Sequence, residues 1–344
     1  MKNNLFTYAD ITNNNNHYFE RIRELDRRNR TMVIIEPSGA ALGLVRHGVR
    51  KGYNVIVFVS DFQVPAGLED IEPQIGLIVH VNLLDLANMQ AVLHCINIDL
   101  KILAIIPGAT HFVYLASKLT DVLKLPGLNI NHVMKLTNKV LMYLTLERVS
   151  VSIPVYETVI CMKDMEEAIE KIGFPAVIRK VDREGFELAN NADEARAIAA
   201  QVFYPNSSSK EEVGQTLMYA QYIEGRNYIL QGTTIKGKIR FFNFAANDDA
   251  TNPPDAELTK QVQDWFSQAL HAIQINNCVF HADICIDAEN KFFLINISSA
   301  MPESQLCSEW KVTDEYHYFD FVYHAYMGEP TYEEYKPIHR VVIG

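Results

Sequence analysis

The first third of the chain alternates between short apolar runs and segments with helical spacing. The apolar runs have the length of buried strands, namely TMVIIEP from Thr31, NVIVFVSD from Asn54, GLIVHVNLLD from Gly76 and LKILAIIPGA from Leu100. Between them, apolar residues recur every three or four positions, as in AALGLVRHGVRKGY. Uniformly apolar strands separated by helices are typical of a parallel sheet that is covered on both faces. The pattern predicts a doubly wound α/β domain over residues 31–130.

The pattern changes after Pro126 and Gly127. HVMKLTNKVLMYLTLERVSV has the spacing of one amphipathic helix, which Pro154 ends. It is followed by the strand VYETVI, the helix MKDMEEAIEKIG, two strands around the glycine of FPAVIRKVDREGFELANN, and a helix with Asp193 and Glu194 in its first turn. We expect these segments to form a small sheet-and-helix lobe over residues 131–215, which ends in the polar break PNSSSKEEVGQ.

A second sheet-and-helix lobe is predicted over residues 216–344. Two alternating strands meet at the turn of Lys236 and Gly237, a helix lies around Trp265 to Ile273, and a final helix covers HYFDFVYHAYMG. Between these helices, CVFHADICIDAENKFFLINISSA has the alternation of a hairpin with two strands. The fold class predicted from the whole pattern is α/β followed by α+β.

Residues 1–30 precede the first buried strand. They hold an Asn-rich tract and then FERIRELDRRNR, in which Phe19, Ile22 and Leu25 have helical spacing. We expect a short, solvated lead-in helix here.

Composition limits the classes of function that need to be considered. The 344 residues are 48% apolar and 21% charged, which is typical of a soluble globular protein with two or three domains. The net charge of −11 argues against a nucleic-acid surface. The five scattered cysteines show no C-x-x-C spacing, and no apolar run is long enough to span a membrane. We therefore expect a cytoplasmic protein with reduced thiols and neither a nucleic-acid nor a membrane partner.

No common catalytic motif is present, since G-x-S-x-G, H-E-x-x-H and the phosphate-binding G-x-x-x-x-G-K-[ST] are all missing. The turn EPSGAALG after the first buried strand also lacks G-x-G-x-x-G, so it is either a tight turn or a substrate-facing loop. What the second half offers is a series of polar groups at strand ends, and for any one of them taken alone a solvated surface role is the better interpretation. These groups are Lys139, Arg179, Lys180, Gln221, Asn227, His281, Asp283, Asn296 and Ser298.

The order of the polar segments resembles the ordered blocks of the ATP-grasp superfamily, which includes biotin carboxylase, D-alanine–D-alanine ligase and the L-amino-acid ligases. The matching blocks are Asn138 with Lys139, then SIPVYET, IGFPAVIRKVD, AQYIEGRNY, HADICID and FFLINIS. IIPGATHFVYLASKLTDVLKLPGLNINHVMKLTNK resembles the segment that precedes the grasp fold in the amino-acid ligases. The resemblance covers residues 31–328 and implies a Rossmann-like pre-ATP-grasp domain followed by a two-lobed ATP-grasp domain.

The resemblance also implies a chemistry. In the family, ATP phosphorylates a substrate carboxylate and an amine attacks the acylphosphate, while lysines and two Mg²⁺ ions neutralise the phosphates. Lys139 matches the lysine that reaches the α-phosphate, and Arg179, with Lys180 beside it, falls where a strand lysine contacts phosphates. The hinge whose backbone pairs with adenine corresponds to Ala220, Gln221, Tyr222 and Ile223. Asn227 falls where a Glu grips the ribose, Asp283 matches the first metal acid, and His281 occupies the place of an Arg that faces the transferred phosphoryl group.

Several positions depart from the family pattern. Asn296 and Ser298 stand where the family has Glu-x-Asn, the second metal acid and its amide partner, and Ala300 replaces an Arg that often follows. The Gly-rich lid is shortened to VDREGFELANN, with Glu184 and Glu187 near the expected phosphates. Asp283 with Asn296 and Ser298 could hold one Mg²⁺ ion, but two ions bridged by a Glu are not supported. We expect such a site to be slow or inactive.

Two hypotheses follow from these residues. The first is an ATP-dependent carboxylate–amine ligase that acts on a small-molecule carboxylate or amino acid through a divergent site. The second is a catalytically inactive ATP-grasp homologue that binds a nucleotide, a small molecule or a partner ligase subunit. The sequence names neither the substrate nor the oligomeric state, and a homodimer stays open.

Overall fold

The computed structural model describes residues 4–13, 15–181, 185–204, 215–248, 254–301, 310–311, 317–329 and 342–343. The helices within these ranges are α1 Tyr8–Thr12, α2 Asn16–Glu24, α3 Ala40–Arg50, α4 Leu86–Leu100, α5 Val113–Val122, α6 Ile130–Thr137, α7 Lys139–Glu147, α8 Met162–Ile172, α9 Ala192–Phe203, α10 Ala256–Ile273 and α11 Tyr318–Met327, with 3₁₀ helices at Glu72–Gln74 and Thr110–Phe112. The strands are β1 Leu5–Thr7, β2 Thr31–Ile35, β3 Asn54–Val59, β4 Leu77–His80, β5 Ile102–Pro107, β6 Tyr156–Val159, β7 Ala176–Lys180, β8 Glu187–Ala189, β9 Leu217–Gln221, β10 Arg226–Ile235, β11 Lys238–Ala246, β12 Cys278–Ile286, β13 Phe292–Ser298, β14 Trp310–Lys311 and β15 Val342–Ile343.

The first domain is built on a parallel five-stranded sheet in the order β1-β4-β3-β2-β5, here called sheet A. Strands β2 and β3 are buried along their whole length because helices cover both faces of the sheet, as their continuous apolar sequence requires. The predicted doubly wound α/β domain is confirmed.

The N-terminal segment contributes more to this domain than the sequence indicated. Strand β1, which was not predicted, pairs in parallel with β4, and α2 buries Tyr18 and Ile22 in the core of the first domain. The predicted lead-in helix therefore exists, but it is packed against the sheet rather than solvated along its length.

The segment after the first domain forms two helices where the sequence predicted one. Helix α6 ends at Thr137, and the backbone N–H of the C-cap residue Asn138 donates to the Met134 carbonyl at 3.0 Å. The side chain of Asn138 then accepts from the Leu141 N–H at 3.1 Å, so it caps the N-terminus of α7. Lys139 consequently begins α7, and its backbone N–H donates to the Val181 carbonyl at 2.8 Å, which ties this helix to the end of β7.

The first lobe is an antiparallel sheet in the order β6-β9-β7-β8, here called sheet B. Its outer face packs on α8 and α9, and the core there includes Ile178 and Tyr219. Its inner face belongs to the large core cluster that also contains α7 and the second lobe, through Met218 and Ala220. The polar break that the sequence predicted at residues 205–215 falls mostly outside the described residues.

The second lobe is an antiparallel sheet in the order β11-β10-β12-β13, here called sheet C. One face packs on α10, where Phe241 and Phe280 contact Phe266. The predicted turn between β10 and β11 is confirmed, with both Lys236 and Gly237 at positive φ. The α+β second half, with its two lobes, is thus as predicted.

Helix α11 joins the second lobe to the first domain. Asp320 lies 2.9 Å from Nε2 of His47 on α3 and accepts from Lys51, the residue after α3, at 3.1 Å. The Tyr323 hydroxyl donates to the Leu44 carbonyl at 2.8 Å. Burial raises the pKa of Asp320, but the hydrogen bonds from His47, the His317 backbone and Lys51 outweigh it and lower the pKa to about 2. Within the described part of the chain, no helix is long and apolar enough to cross a membrane.

Candidate functional site

The face of sheet C that points away from α10 is here called its inner face. It carries two rows of residues that run across the strands. The cross-strand register places Asn243, Gln231, His281 and Ser298 in one row, here called the outer row. It places Ile229, Asp283 and Asn296 in the next, here called the inner row. Side chains that face each other across paired strands lie close together, so each row is a chain of neighbours.

The inner row ends at the ammonium group of Lys139. As a residue, Lys139 is only 3% exposed. Lys139 Nζ donates to Asn296 Oδ1, and Asn296 Nδ2 donates to Asp283 Oδ2 at 3.1 Å. Because an ammonium group can only donate, it fixes the orientation of the amide, with the oxygen towards Lys139 and the NH₂ group towards Asp283. Asn296 therefore links a cation to a carboxylate and carries no charge itself.

The outer row holds His281 between two partners. His281 Nε2 lies 3.4 Å from Asp283 Oδ1, and His281 Nδ1 lies 3.2 Å from Gln231 Nε2. Gln231 Oε1 accepts from Asn243 Nδ2 at 3.1 Å. Gln231 and Asn243 were not among the predicted site residues. Gln231 is only 2% exposed, but its strand RNYILQGTTI holds several other polar residues, so the sequence pattern did not distinguish it.

The carboxylate of Asp283 has an altered acidity. Burial raises the pKa of Asp283, but the hydrogen bonds from His281 and Asn296 and the positive charge of Lys139 lower it by more, so the pKa lies below its ordinary value. Asp283 is thus held as a carboxylate at neutral pH.

Ser298 connects the outer row to the first domain. Its hydroxyl lies 3.3 Å from the hydroxyl of Thr110 and accepts from the Ala300 N–H at 3.2 Å. Thr110 opens the 3₁₀ helix directly after β5, at the carboxyl edge of sheet A, where ligands of such sheets bind. The loop can approach the end of β2 because Gly108 has no side chain, since a Cβ there would overlap the carbonyl oxygens of Ile35 and Glu36.

The turn EPSGAALG lies at the same edge. The Glu36 carboxylate accepts from the backbone N–H and the hydroxyl of Ser60, at 2.7 and 3.1 Å. These bonds join the loops that follow β2 and β3.

Arg179 faces sheet C from the first lobe. Strand β7 alternates, so Ala176 and Ile178 pack under α8 and α9 while Arg179 lies on the inner face. The guanidinium carbon lies 5.8 Å from the centre of the Phe186 ring, and Arg179 Nε is buried without a hydrogen-bond partner among the described residues. Lys180 shares the parity of Ile178, so it lies on the opposite face from Arg179.

Beside Arg179, the inner face of sheet B has an open apolar strip. Leu188 lies opposite Val177 on the neighbouring strand, and Leu188 and Phe186 are 42% and 61% exposed. Glu187 lies opposite Ile178 and therefore shares the outer-face parity, whereas Glu184 falls outside the described residues. The strip is an exposed apolar surface, and an aromatic ring can pack on apolar side chains of this kind.

The predicted hinge follows this strip. Ala220 is buried between Val177 and Tyr156, and the amides of Gln221 and Tyr222 donate to the carbonyls of Val155 at 2.8 Å and Pro175 at 3.2 Å. Among the described residues, no group accepts a hydrogen bond from the amide of Ile223.

Asn227 is exposed near the start of β10, opposite Cys285. It lies one row beyond Asp283, towards the hinge, because Ile229 is the residue opposite Asp283. The structure thus brings together Lys139, Asp283, Asn296 and His281 by direct contact, with Ser298 in the same row as His281, and leaves Lys180 apart.

The predicted metal ligands do not fit Mg²⁺. Mg²⁺ requires oxygen ligands in octahedral geometry, commonly one or two carboxylates. The Asn296 NH₂ group faces one Asp283 oxygen and the His281 ring faces the other, while the Ser298 hydroxyl is bonded to Thr110 and Ala300. Over the described ranges, no group of three or more His, Cys, Asp or Glu residues could hold a metal ion.

Comparison with known proteins identifies the fold. No protein-family model and no curated protein matches the sequence. Among solved structures, an L-amino acid ligase from Bacillus licheniformis matches with a TM-score of 0.70 and 16% identity, covering 87% of this chain and 74% of that chain. N5-carboxyaminoimidazole ribonucleotide synthetase from Thermotoga maritima matches with a TM-score of 0.68 and 16% identity, covering 88% and 76%.

A third structure holds ligands. It is N5-carboxyaminoimidazole synthase from Aspergillus clavatus in complex with ADP and 5-aminoimidazole ribonucleotide, with a TM-score of 0.70, 11% identity, and coverage of 89% of this chain and 78% of that chain. The chain therefore has the ATP-grasp fold, with an α/β domain preceding it, as the resemblance implied. At these identities the comparison establishes the fold alone.

Proposed function

We propose that the cleft between sheets B and C binds an adenine nucleotide. The observation that carries the proposal is the guanidinium group of Arg179 on the inner face of sheet B, whose Nε is buried without a hydrogen-bond partner among the described residues. A buried donor without a partner costs free energy, and a bound phosphate chain would offset that cost. The solved ADP complexes of proteins with this fold support the choice of ligand.

The base would lie on the apolar strip of Val177 and Leu188. The hinge beside this strip offers the amide of Ile223, which donates to no described group and could pair with a ring nitrogen of adenine. Asn227, one row from Asp283, is in place to meet the ribose. A nucleotide in this pose directs its phosphates towards Arg179 and Lys139.

Of the two hypotheses, we favour the one in which the protein binds a nucleotide and has no ligase activity. Forming an acylphosphate develops negative charge that must be neutralised, and the inner row provides one carboxylate linked through a neutral amide to one lysine. Asn296 supplies no carboxylate to hold a metal there. The nucleotide would then be a structural or regulatory ligand.

An ATP-dependent carboxylate–amine ligase is the second candidate. The contact between Thr110 and Ser298 supports it, because it brings the carboxyl edge of sheet A against the row that holds His281. A small carboxylate or amino acid bound at that edge would lie next to the expected γ-phosphate position.

Two assays on the full-length protein test these proposals. Ligand that binds only the folded state raises its stability, by about 2.7 kcal/mol at a hundredfold excess over Kd, so ATP and ADP should raise the melting temperature. No shift with millimolar nucleotide would contradict both candidates. ADP release across a panel of amino acids then separates them, since release above the ATP-only background would establish the ligase.

A further inference from the structure

A small cavity lies between the first domain and the end of strand β13. Four of its lining residues carry hydroxyl groups, namely Ser117 and Thr120 on α5, Ser299 directly after β13, and Tyr326 on α11, and the remaining lining residues are apolar. The centre of a water molecule has about 10 Å³ of free space there, which is room for one such molecule. The cavity is separate from the proposed nucleotide site.

Ser299 brings an unpaired hydroxyl group to this cavity. Ser299 is only 1% exposed, and its Oγ has no hydrogen-bond partner among the described residues. A buried hydroxyl group without a partner costs free energy, so such groups are normally bonded to protein or to ordered water. Ser299 therefore requires a partner that the cavity can hold.

We propose that the cavity is a binding site for one water molecule, which accepts a hydrogen bond from Ser299 and donates to Ser117 and Tyr326. The hydroxyl of Ser117 donates to the Leu128 carbonyl, and that of Tyr326 donates to the Ser299 carbonyl at 2.8 Å. Because each hydroxyl has one hydrogen to donate, the oxygens of Ser117 and Tyr326 can only accept a further bond. Water supplies both donors and the acceptor, which gives it the three or so hydrogen bonds that are typical of a buried water molecule.

Other occupants fit the cavity less well. An apolar molecule would leave the Ser299 hydroxyl unpaired, and an ion would lose its hydration shell without a charged partner among the described lining residues. A larger polar molecule would exceed the free space.

The bound water links the end of β13 to the first domain. The hydroxyl of Ser298 already lies 3.3 Å from that of Thr110 in the first domain. The water adds a bridge from the next residue, Ser299, to Ser117 on α5. The strand end that carries Ser298 is thus held to the first domain at two successive residues.

A crystal structure of the full-length protein, at a resolution that shows ordered water, tests the site directly. We expect one water molecule in the cavity, within about 2.5–3.0 Å of Ser299 Oγ and of the hydroxyl oxygen of Ser117 or Tyr326. A cavity without density for a water molecule, or a Ser299 hydroxyl that is bonded to a protein group instead, would overturn the proposal.

Ser299→Ala distinguishes a hydroxyl bonded to water from one that is left unpaired. Removing a bonded hydroxyl lowers stability, so we expect the melting temperature to fall by about 2 °C, whereas removing an unpaired hydroxyl would raise it. A rise in the melting temperature would show that Ser299 has no water partner.

The bridge between Ser299 and Ser117 is tested by combining variants. No contact among the described residues joins these two serines, so we expect Ser299→Ala with Ser117→Ala to lower the melting temperature by less than the sum of the two single losses. Thr31→Val is the matched control, because the buried Thr31 hydroxyl donates to the Leu100 carbonyl at 2.8 Å at the opposite end of sheet A. Its loss should add to that of Ser299→Ala. Additive losses in the serine pair, or the same shortfall in the control pair, would contradict the bridge.

Discussion

At the scale of a single residue, the amide of Asn296 determines which groups position 296 contacts and leaves that position without a charge. An amide and a carboxylate have nearly the same shape, but only the amide can accept from Lys139 on one side and donate to Asp283 on the other. The result is a short neutral link between a buried cation and a carboxylate whose pKa is held below its ordinary value. The resemblance identified position 296 as unusual, but its contact with a lysine 157 residues away in sequence required the structure.

Arg179 and Lys180 test which face of β7 takes part in nucleotide binding. They are adjacent cations in β7, and the pleat of the strand places Arg179 on the inner face of sheet B and Lys180 on the outer face. We expect Arg179→Met to weaken ADP binding by about tenfold or more, the typical effect of a lost charged hydrogen bond, and Lys180→Met to change it by less than about twofold. Calorimetric titration measures both, and equal losses would contradict the assigned faces.

At the scale of an element, the break between α6 and α7 positions the buried lysine. The hydrophobic pattern continues at helical spacing across MKLTNKVLM, so the sequence offered no reason to divide it. The division depends on Asn138, which ends one helix and caps the next, and on the bond between the Lys139 N–H and Val181. Caps of this kind are local, but whether a mid-segment Asn acts as one is decided by tertiary contacts.

Asn138→Ala tests the function of this break. Loss of an N-cap costs about 1 kcal/mol of unfolding free energy, and here it also frees the turn that aims Lys139. Asn129→Ala is a matched control, since Asn129 caps the N-terminus of α6 by accepting from the Asn131 N–H at 2.8 Å. We expect similar destabilisation of both variants in urea, with weaker ADP binding only in Asn138→Ala; equal binding by the two would contradict the positioning role.

At the scale of the whole molecule, helix α11 holds the first domain against the second lobe through Asp320. A carboxyl group whose folded pKa is lowered contributes stability above its unfolded pKa, and this contribution is lost as the pH falls through the folded pKa. For Asp320 the pKa falls from 3.8 to about 2, so its contribution is complete above pH 3.8 and disappears towards pH 2.

We expect Asp320→Asn to lower the unfolding free energy at neutral pH by roughly 2 kcal/mol, the value that a shift of this size implies. The difference between parent and variant should shrink as the pH falls between 3.8 and about 2. Chemical denaturation across this range provides the measurement. A difference that does not depend on pH would show that the charge of Asp320 is not what stabilises the contact.

The sequence predicted the larger features of the molecule well. Strands β2 to β5, the two lobes and the hairpin of β12 and β13 follow from periodicity, because long buried elements have strong patterns. Strand β1 was missed because three residues carry too little pattern to recognise. The pairing of Gln231 with His281 and Asn243 depends on cross-strand register, which shifts at a bulge between Gln231 and Gly232.

The glycine at this bulge shows why such a detail cannot be read from periodicity. A Cβ at Gly232 would overlap the Arg240 carbonyl oxygen and the Phe280 ring, so the strands approach each other only because the side chain is missing. That approach is a property of three strands together, and it sets which residues share the outer row.

A crystal structure of the protein with a non-hydrolysable ATP analogue and Mg²⁺ would show whether the nucleotide site exists and whether it uses a metal ion. We predict that the phosphates will lie within hydrogen-bonding distance of Lys139 Nζ and Arg179, that the base will lie on the strip of Val177 and Leu188, and that no metal ion will be bound to Asp283. A saturating analogue that leaves the cleft between sheets B and C empty, or phosphates that reach the protein only through a metal on Asp283, would contradict this prediction.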